Sequence, residues 1–512
     1  MRPSEKLLRG LALAAVAAVY VFLALRLVAP YTPIDDAFIS FRYARHLASG
    51  HGLAFNLNEP AVEGYSSLAW VLILAAGARA GIGLPALSQI LGLLLGAGTL
   101  LVLTRRSVLA AAGLAVCLPW LYHTVNGLET CLMTFLVAVL TCLPPGTPRR
   151  RAAGLLAAAL LGITRPEGLL CVLLWAAAVH LADRRVHRFE IRLALAAFAT
   201  SAAQLAFRLL WYGDWIANSA RAKVLPLGFT LGPGLLDLGR FLVLGSGGGL
   251  LLLLAVAGAG LSIRSDRSDR SVRSDDAGRH TLARVLFLAL FAPALAASGG
   301  DSFPLWRFYV PLVPVLFLCA AEGLEALLAA RPMPERTVAL LRSLAAAAVL
   351  AALIVPWRGF LPEIRREGSW VRHWERLGLR LAAMLPPDTT IALCPVGALP
   401  YRSGFRTLDM LGLNDPHIAR VKPDFSYYYP GHQRHDGPWI LSQRPDLILL
   451  ANGPVAADPA APFPWEQVRP YERDLVRDPR FAAEYGLARI PLGDGTWLLA
   501  FLRKSGVRRP AT

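Results

Sequence analysis

The sequence predicts a polytopic α-helical membrane protein with about eleven transmembrane helices and a soluble α/β domain at its C-terminus. Hydrophobic residues make up 55% of the 512 residues and charged residues only 17%, whereas a soluble globular chain has about 25% charged residues. Mean hydropathy is +0.47. Apolar runs that can cross about 30 Å of hydrocarbon recur up to Val355 and then stop. The last third therefore forms a separate domain.

About eleven apolar runs are predicted as membrane spans. Basic residues precede the first run, as they do in a secretory signal peptide, but this run is longer than a signal h-region and is therefore expected to be a retained helix. The predicted spans cover residues 7–28, 84–103, 108–121, 128–143, 152–163, 169–181, 191–211, 247–261, 282–297, 309–330 and 338–355.

The arginines predict how these spans are oriented, because basic residues concentrate in the cytoplasmic loops of membrane proteins. With a cytoplasmic N-terminus, nearly every arginine cluster falls inside and the C-terminal domain lies outside. This requires the apolar segment 66–82 to lie at the outer surface as a juxtamembrane helix that does not cross. The inside loops are then 104–106, 144–151, 182–192, 331–336 and the Arg/Ser/Asp-rich segment 264–280, which is expected to be a flexible linker.

Charge and cysteine content argue against other classes of protein. The net charge of +17 comes from these loop clusters, so it indicates membrane topology and no nucleic-acid partner is expected. Five of the six cysteines fall in or beside apolar runs, and no disulfide framework is predicted. His432 and His435 have the spacing of a metal pair but lack a third spaced ligand, so no metal or other cofactor is expected.

The predicted division of the chain is a transmembrane domain over residues 1–356 and an extracytoplasmic α/β domain over residues 357–512. The second part begins with a helical stretch, "GSWVRHWERLGLRLAAML", and continues with four short runs typical of strands. These runs are "TTIALC", "FRTLDML", "PDLILLAN" and "GTWLLAFL".

Acidic and basic residues gather in the loops that this topology puts outside. Ionisable groups at the edge of the hydrocarbon are costly and usually line a cavity or contact a polar ligand. The alternative is that they sit in solvated loops and pair with one another or with lipid headgroups. They are Asp35, Asp36, Arg42 and Glu63 in the first loop, then His123, Asn126, Glu129, Arg165, Glu167, Asp214, Asn218, Arg221, Lys223, Asp301 and Arg307.

The adjacent carboxylates Asp35 and Asp36 directly follow the first span. A carboxylate pair suits general-base chemistry, in which one group takes a proton from an acceptor hydroxyl. Guanidinium and ammonium groups nearby suit an anion, particularly phosphate. The alternative is an N-cap, in which Asp35 accepts hydrogen bonds from the amides of a helix that starts at Asp36 or Ala37. Both interpretations are compatible.

Several motifs together resemble the GT-C superfamily of membrane glycosyltransferases, and within it the branch that contains the terminal arabinofuranosyltransferases of cell-wall arabinan assembly. The resemblance covers nearly the whole chain and rests on the order of the motifs. They are "DDAFISFRYARHLASGHGLAFN", "VEGYSSLAW", "TRPEG", "NSARAK", "GGDSFPLWRFYVPLVP", "LDMLGLNDPHIAR" and "GHQRHDGPWILSQRPDLIL".

The resemblance implies a GT-C-like fold, a polyprenyl phosphate sugar as donor, and transfer at the outer face of the plasma (inner) membrane. The acid of the first outer loop is the base in this branch, which makes Asp35 or Asp36 the base here. The implied contacts to the phosphate or sugar ring are Arg42, Arg165, Lys223 and Arg307. Glu63, Glu167 and Asp301 are implied acceptors of sugar hydroxyl bonds, and Asn218 is a further implied substrate-binding residue.

The expected activity is therefore inverting transfer of a sugar, with arabinofuranose as a candidate, from a polyprenyl phosphate to an envelope glycan or lipid. A protein acceptor is equally compatible with the sequence. A transporter or flippase of lipid-linked sugars is the alternative outside enzymes, but such proteins tend to show paired repeats and broken helices near mid-membrane. The sequence has no internal repeat, and its polar residues cluster at one predicted membrane face. A sugar-binding membrane module without catalysis is the third hypothesis, and it would not require the acidic pair.

Overall fold

A helical bundle forms the first three quarters of the protein, whose computed structural model describes residues 3–245, 247, 249–268, 275–330 and 332–505. The helices are α1 (Pro3–Leu23), α2 (Asp35–Ala48), α3 (Leu68–Arg79), α4 (Leu84–Thr104), α5 (Val108–Ala115), α6 (Leu118–Val125), α7 (Thr130–Cys142), α8 (Pro148–Thr164), α9 (Gly168–Asp183), α10 (Arg188–Tyr212), α11 (Asn218–Lys223), α12 (Leu227–Arg240), α13 (Leu250–Ser268), α14 (Asp275–Ala296), α15 (Val313–Ala329), α16 (Glu335–Ile354) and α17 (Trp357–Met384).

Each predicted span coincides with a helix or a pair of helices. Among the described residues, seven helices are long and apolar enough to cross a membrane, or eight if the bent pair α5 and α6 is one span. Four more apolar helices, α3, α7, α9 and the apolar part of α13, are shorter. The 71° bend between α5 and α6 comes just before Pro119, which has no N–H to continue the α5 hydrogen-bond ladder.

Two parts of the bundle differ from the sequence prediction. Residues Leu227–Gly245, comprising α12 and the turn after it, are an additional candidate span. Glycines and Pro233 dilute the apolar run there, which hid it in the sequence. The expected linker 264–280 is helical where it is described, because α13 continues to Ser268 and α14 begins at Asp275. Residues 269–274 lie outside the described part of the chain.

The apolar segment 66–82 contains α3, a helix of 12 residues. Twelve residues rise only about 18 Å along a helix, which is too short for about 30 Å of hydrocarbon. The Ser67 hydroxyl accepts a hydrogen bond from the Trp70 amide (3.2 Å) and caps the start of α3. The helix packs along α2. Its length fits the juxtamembrane helix that the arginine distribution requires.

The C-terminal part contains a six-stranded mixed sheet in the order β2-β1-β3-β6-β4, with β5 paired to β6. β1 is parallel to β2 and β3, and the pairs that involve β6 are antiparallel. All four predicted strands are present, and β4 and β5 are additional. The elements are β1 (Thr390–Leu393), α18 (Ala398–Ser403), β2 (Arg406–Asp409), α19 (Gly437–Ser442), β3 (Leu447–Ile448), β4 (Val455–Ala456), α20 (Arg473–Arg477), α21 (Pro479–Glu484), β5 (Tyr485–Pro491) and β6 (Trp497–Arg503).

Arg42 of α2 joins the bundle to the sheet domain. Its side chain is buried, and its guanidinium donates to the carbonyl oxygens of Pro400 (2.8 Å) and Phe405 (2.8 Å) in the sheet domain. It also donates to the Phe55 carbonyl (2.7 Å) and to Asn56 Oδ1 (3.3 Å) in the loop after α2. A guanidinium with this many acceptors tolerates burial, because its hydrogen bonds offset the loss of water. The sheet domain is thereby fixed on the end of the bundle that carries α2.

We predict that Arg42→Ala lowers the free energy of unfolding by about 3 kcal/mol or more, because four acceptors, three of them buried, lose a charged donor. Thermal unfolding of the purified protein in detergent measures the effect. Arg79→Ala is the matched control, since within the described residues its guanidinium donates to one acceptor, the Ala48 carbonyl at the surface (3.0 Å). Equal melting temperatures for the two variants would contradict this role of Arg42.

Candidate active site

Asp35 is buried at the start of α2 and accepts hydrogen bonds from the sheet domain. Its carboxyl oxygens accept from the backbone amides of Gly397 (2.9 Å) and Ala398 (2.7 Å), where α18 begins. The N-cap of α2 is Ile34, without a side-chain cap. The expectation that Asp35 caps its own helix is therefore wrong, because the carboxyl binds the amides of a different helix. A Cβ on Gly397 would come within 1.9 Å of the Asp35 carbonyl oxygen, so this contact requires glycine.

Asp36 is the accessible member of the pair. Its side chain is 23% exposed, and its Oδ2 lies 3.8 Å from Lys223 Nζ and 4.0 Å from Arg307 Nη1. Both distances are longer than a hydrogen bond. The carboxylate oxygens are thus near two cations without being hydrogen-bonded to either of them, which leaves them able to accept a proton from a substrate hydroxyl.

Arg307 is held in place by Asp301. Asp301 Oδ2 and Oδ1 accept from Arg307 Nε (2.9 Å) and Nη2 (3.0 Å). This two-point contact fixes the plane of the guanidinium and leaves Nη1 facing Asp36. The rings of Phe303 and Phe308 cover the guanidinium at 4.9 and 5.1 Å. Asp301 therefore acts on the site through Arg307.

Two more ion pairs lie beside this group. Arg165 donates from Nη1 to Glu129 (2.6 Å) and from Nε to Glu167 (2.5 Å). Glu63 accepts from the Nε (2.5 Å) and Nη2 (3.2 Å) of Arg208. These pairs bring the sequence-predicted Glu63, Arg165 and Glu167 to one place.

A cavity of about 1040 Å³, the bundle cavity, lies among these pairs. Four cationic side chains line it against two carboxylates, so its wall has an excess of positive charge. Ser66, Ser201 and Gln204 also contribute to the lining. The charged lining residues are Arg165, Arg208, Lys223, Arg307, Glu63 and Glu167.

A second cavity of about 1560 Å³, the interdomain cavity, lies between the bundle and the sheet domain. Asp35, Asp36 and Lys223 line it, and a small pocket that contains Asp36, Lys223 and Arg307 adjoins both cavities. Asp36 thus stands where the two cavities meet. The interdomain cavity is further lined by Glu367, Trp370 and Trp374 of α17 and by Tyr427, Tyr428, Tyr429, His432 and Tyr471 of the sheet domain.

The loop that carries the tyrosines packs directly on Lys223. Gly431 has φ +76°, and a Cβ there would lie 3.2 Å from Lys223 Cγ. His432 Nδ1 lies 2.8 Å from the Pro430 carbonyl, and burial lowers the pKa of His432 to about 4. The ring is therefore neutral at physiological pH, and because a carbonyl can only accept, Nδ1 is the donor and Nε2 is an acceptor.

Other sequence-predicted residues lie away from the cavities. Arg42 is committed to the domain junction described above. Asn218 Nδ2 donates to the carbonyls of Gly412 (2.8 Å) and Leu413 (3.0 Å), so it too joins the domains. The structure gives both residues a joining role, and their substrate contact stays a prediction. Among the remaining outer-loop residues, His123 and Asn126 bond each other (2.8 Å) in the core, and Asp214 pairs with Arg221 (2.5 Å).

No group of three metal-ligating side chains occurs in the described residues. His435 lies 3.1 Å from Asp474, and His432 bonds Pro430, so the two histidines do not form a pair.

Sequence reasoning missed Arg208, Glu367 and the aromatic lining. Arg208 had a usable signal, since an ionisable residue inside a predicted span indicates a functional position. The run "SYYYPGH" was a weaker signal for an aromatic cavity wall. Its three tyrosines would point to alternate faces if the run were a strand, and the sequence does not show that the run is a loop beside a cavity. Glu367 stands in a charged helical stretch and had no distinguishing signal.

Comparisons with known proteins support the fold. The family described as Domain of unknown function (DUF8728) matches residues 362–499. No curated protein matches the sequence. The structure is similar to a crystal structure of ArnT from Cupriavidus metallidurans bound to undecaprenyl phosphate, with TM-score 0.56 and 13% identity over 97% of this chain and 98% of that one. ArnT in the apo state gives TM-score 0.56 and 14% identity over 95% and 97%.

This likeness shows that the chain has the GT-C-like fold of ArnT, with a polytopic helix bundle and a small C-terminal sheet domain. The predicted fold class is confirmed. The solved structures show the fold alone, and they do not show the narrower resemblance to the arabinofuranosyltransferase branch.

We predict that Asp35 makes stability depend on pH. Burial is the main cause that raises the pKa of Asp35 from 3.8 to about 8. Between these values the folded protein holds a proton that the unfolded chain has released, so the free energy of unfolding falls as the pH rises through this window. The contribution is complete below about pH 4 and lost above about pH 8. Melting temperatures of the wild type and Asp35→Asn from pH 5 to 9 should show a steeper decline for the wild type; parallel profiles would contradict the assignment.

Proposed function

We propose that this protein is an inverting glycosyltransferase that moves a sugar from a polyprenyl phosphate to an envelope glycan or lipid. The observation that carries the proposal is the position of Asp36 at the meeting point of a cationic cavity and an aromatic, acid-containing cavity. A transferase needs two substrates to meet beside one base, and this arrangement provides for both. The GT-C-like fold supports the same conclusion.

The bundle cavity is the proposed donor site. Its excess of cations suits a phosphate, and the arginines are oriented by their carboxylate partners before any ligand arrives. Lys223 is less constrained, because its only described ion pair is the 3.8 Å contact with Asp36. The similar ArnT structure was solved with undecaprenyl phosphate bound, which supports a polyprenyl phosphate as the ligand class.

The reaction follows from this placement. The acceptor hydroxyl loses its proton to an Asp36 carboxylate oxygen, and its oxygen forms a bond to the anomeric carbon of the donor sugar. The bond from this carbon to the phosphate oxygen breaks, and the electron pair leaves with the phosphate. Lys223 and Arg307 stabilise the charge on the departing phosphate. Attack from the face opposite the phosphate inverts the anomeric configuration.

The interdomain cavity is the proposed acceptor site. Glu367, Trp370 and Trp374 share one face of α17, since they are spaced by three and four residues. Aromatic rings provide apolar surface for the C–H faces of a sugar, and a carboxylate accepts its hydroxyl hydrogens. An envelope saccharide, free or on a lipid, fits such a lining. Arabinofuranose is the candidate for the transferred sugar that the family resemblance implies.

A transporter or flippase of lipid-linked sugars remains the second hypothesis, and the same cationic cavity would serve it. The site favours transfer because an accessible carboxylate lies between two cavities. A protein acceptor would leave the mechanism unchanged. A sugar-binding module without catalysis would give no product in the test below.

The proposed location is the plasma (inner) membrane, with residues 357–512 outside the cell. The predicted arginine topology supports this side when residues 227–245, a candidate span by length and composition, do not cross the membrane. The bonds from Asp35 and Arg42 to residues 397–405 keep the site and the sheet domain together.

The proposal predicts that purified protein transfers sugar from a member of a panel of polyprenyl phosphate sugars, detected by product mass. Asp36→Asn should reduce turnover by about 10²- to 10⁴-fold, the usual contribution of a general base. Asp35→Asn is the matched control, because it changes the neighbouring carboxyl that bonds Gly397 and Ala398; it should lower the melting temperature more than Asp36→Asn does. Turnover at the parental rate in Asp36→Asn would exclude this residue as the base.

The donor site predicts a selective loss in Lys223→Ala. Binding of undecaprenyl phosphate should weaken by roughly tenfold or more, the effect of one charged hydrogen bond. Arg221→Ala is the matched control on the same short helix, since Arg221 pairs with Asp214. Titrations in detergent measure both dissociation constants. Unchanged affinity in Lys223→Ala would place the phosphate elsewhere.

A further inference from the structure

A third cavity, of about 490 Å³ including the space open to solvent, lies at the opposite end of the bundle from Asp36. α7 begins beside Glu129 at the active site and ends at Cys142, which lines this third cavity. α8 runs back from Arg150 in the same lining to Arg165. These helices of 13 and 17 residues put roughly 20 Å between the two sites. We call this third cavity the far-end cavity.

The far-end cavity contains arginines whose charge is incompletely neutralised. Arg284 is 2% exposed and donates from Nη1 to Glu322 Oε2 (2.5 Å). Arg106 donates to Oε1 of the same carboxylate (3.1 Å). Two guanidiniums therefore share one carboxylate. Arg150 adds a third guanidinium to the lining.

Two buried polar atoms of this lining have no hydrogen-bond partner among the described residues. They are the Nε donor of Arg284 and the Oε2 acceptor of Glu190. Unpaired buried groups cost free energy, particularly when they are charged. A ligand that offers both an acceptor and a donor would satisfy these two atoms together.

We propose that the far-end cavity binds a phosphate group that carries a hydrogen-bond donor, the chemistry of a phospholipid headgroup. The phosphate oxygens accept from Arg284 Nε and Arg150, and the headgroup hydroxyl or ammonium donates to Glu190. Trp175 and Phe189 provide apolar lining for the adjoining carbon atoms of a lipid. Free inorganic phosphate shares the anionic chemistry but lacks the apolar part.

Native mass spectrometry of the full-length protein tests the site by titration with phosphatidylglycerol, phosphatidylethanolamine and phosphatidylcholine. The first two headgroups have a donor, and the third does not. We expect saturable binding of the first two, weakened roughly tenfold in Arg150→Ala by loss of a charged hydrogen bond. Arg149→Ala is the matched control, since it removes the same charge from the adjacent exposed position outside the lining.

A second variant examines the buried donor. Arg284→Lys keeps a positive charge opposite Glu322 and removes Nε, so it should also weaken lipid binding while the protein stays folded by its melting temperature. Stabilisation by inorganic phosphate that Arg150→Ala abolishes, without lipid binding, would support the anion site with free phosphate as its source. Equal losses in Arg149→Ala and Arg150→Ala, or no binding of lipid or phosphate, would overturn the proposal. Equal binding of phosphatidylcholine would overturn the role of Glu190.

Discussion

The contact between the Asp35 carboxyl and the amides of Gly397 and Ala398 determines the arrangement of the site. Successive residues of a helix point about 100° apart, so Asp36 takes a different side of α2 from Asp35 and lies beside Lys223 and Arg307. The same contact joins the first helix after the first span to the sheet domain. Both acids line the interdomain cavity, but Asp35 is bonded to the sheet domain and Asp36 is the accessible one.

Ion pairs around Asp36 orient the cations before a substrate arrives. Arg165 and Arg307 are each held by carboxylates in fixed geometry, and the cost of ordering them is met during folding. Lys223 lies on a short helix, and the loop at Gly431 packs against its side chain. The sheet domain therefore contacts both Asp35 and Lys223. For this reason the interdomain cavity reaches the charged side chains of Asp36 and Lys223.

Much of this architecture could be predicted from the sequence, because long apolar runs are a strong signal for membrane helices and alternating runs for strands. The arginine distribution predicted that the loops carrying Asp36, Lys223 and Arg307 lie at the same end of the helix bundle. The partner of Asp35 could not be predicted, since the bonded amide is 362 residues away in the chain. The bonds of Arg42 and Asn218 to the sheet domain could not be predicted for the same reason, since a polar side chain in an outer loop can equally bind a ligand or a neighbouring domain.

The two ends of the bundle hold their arginines in different ways. At the end that carries Asp36, Arg165 has two carboxylates and Arg307 has its own, so the orientation of both guanidiniums is fixed. At the far end Arg106 and Arg284 share the single carboxylate of Glu322. Because α7 and α8 connect both places, an anion at the far end would hold together the same helices that present Glu129 and Arg165. A ligand that binds there and does not bind the unfolded chain would thus stabilise the folded arrangement of α7 and α8, and with it the positions of Glu129 and Arg165, without contacting a substrate.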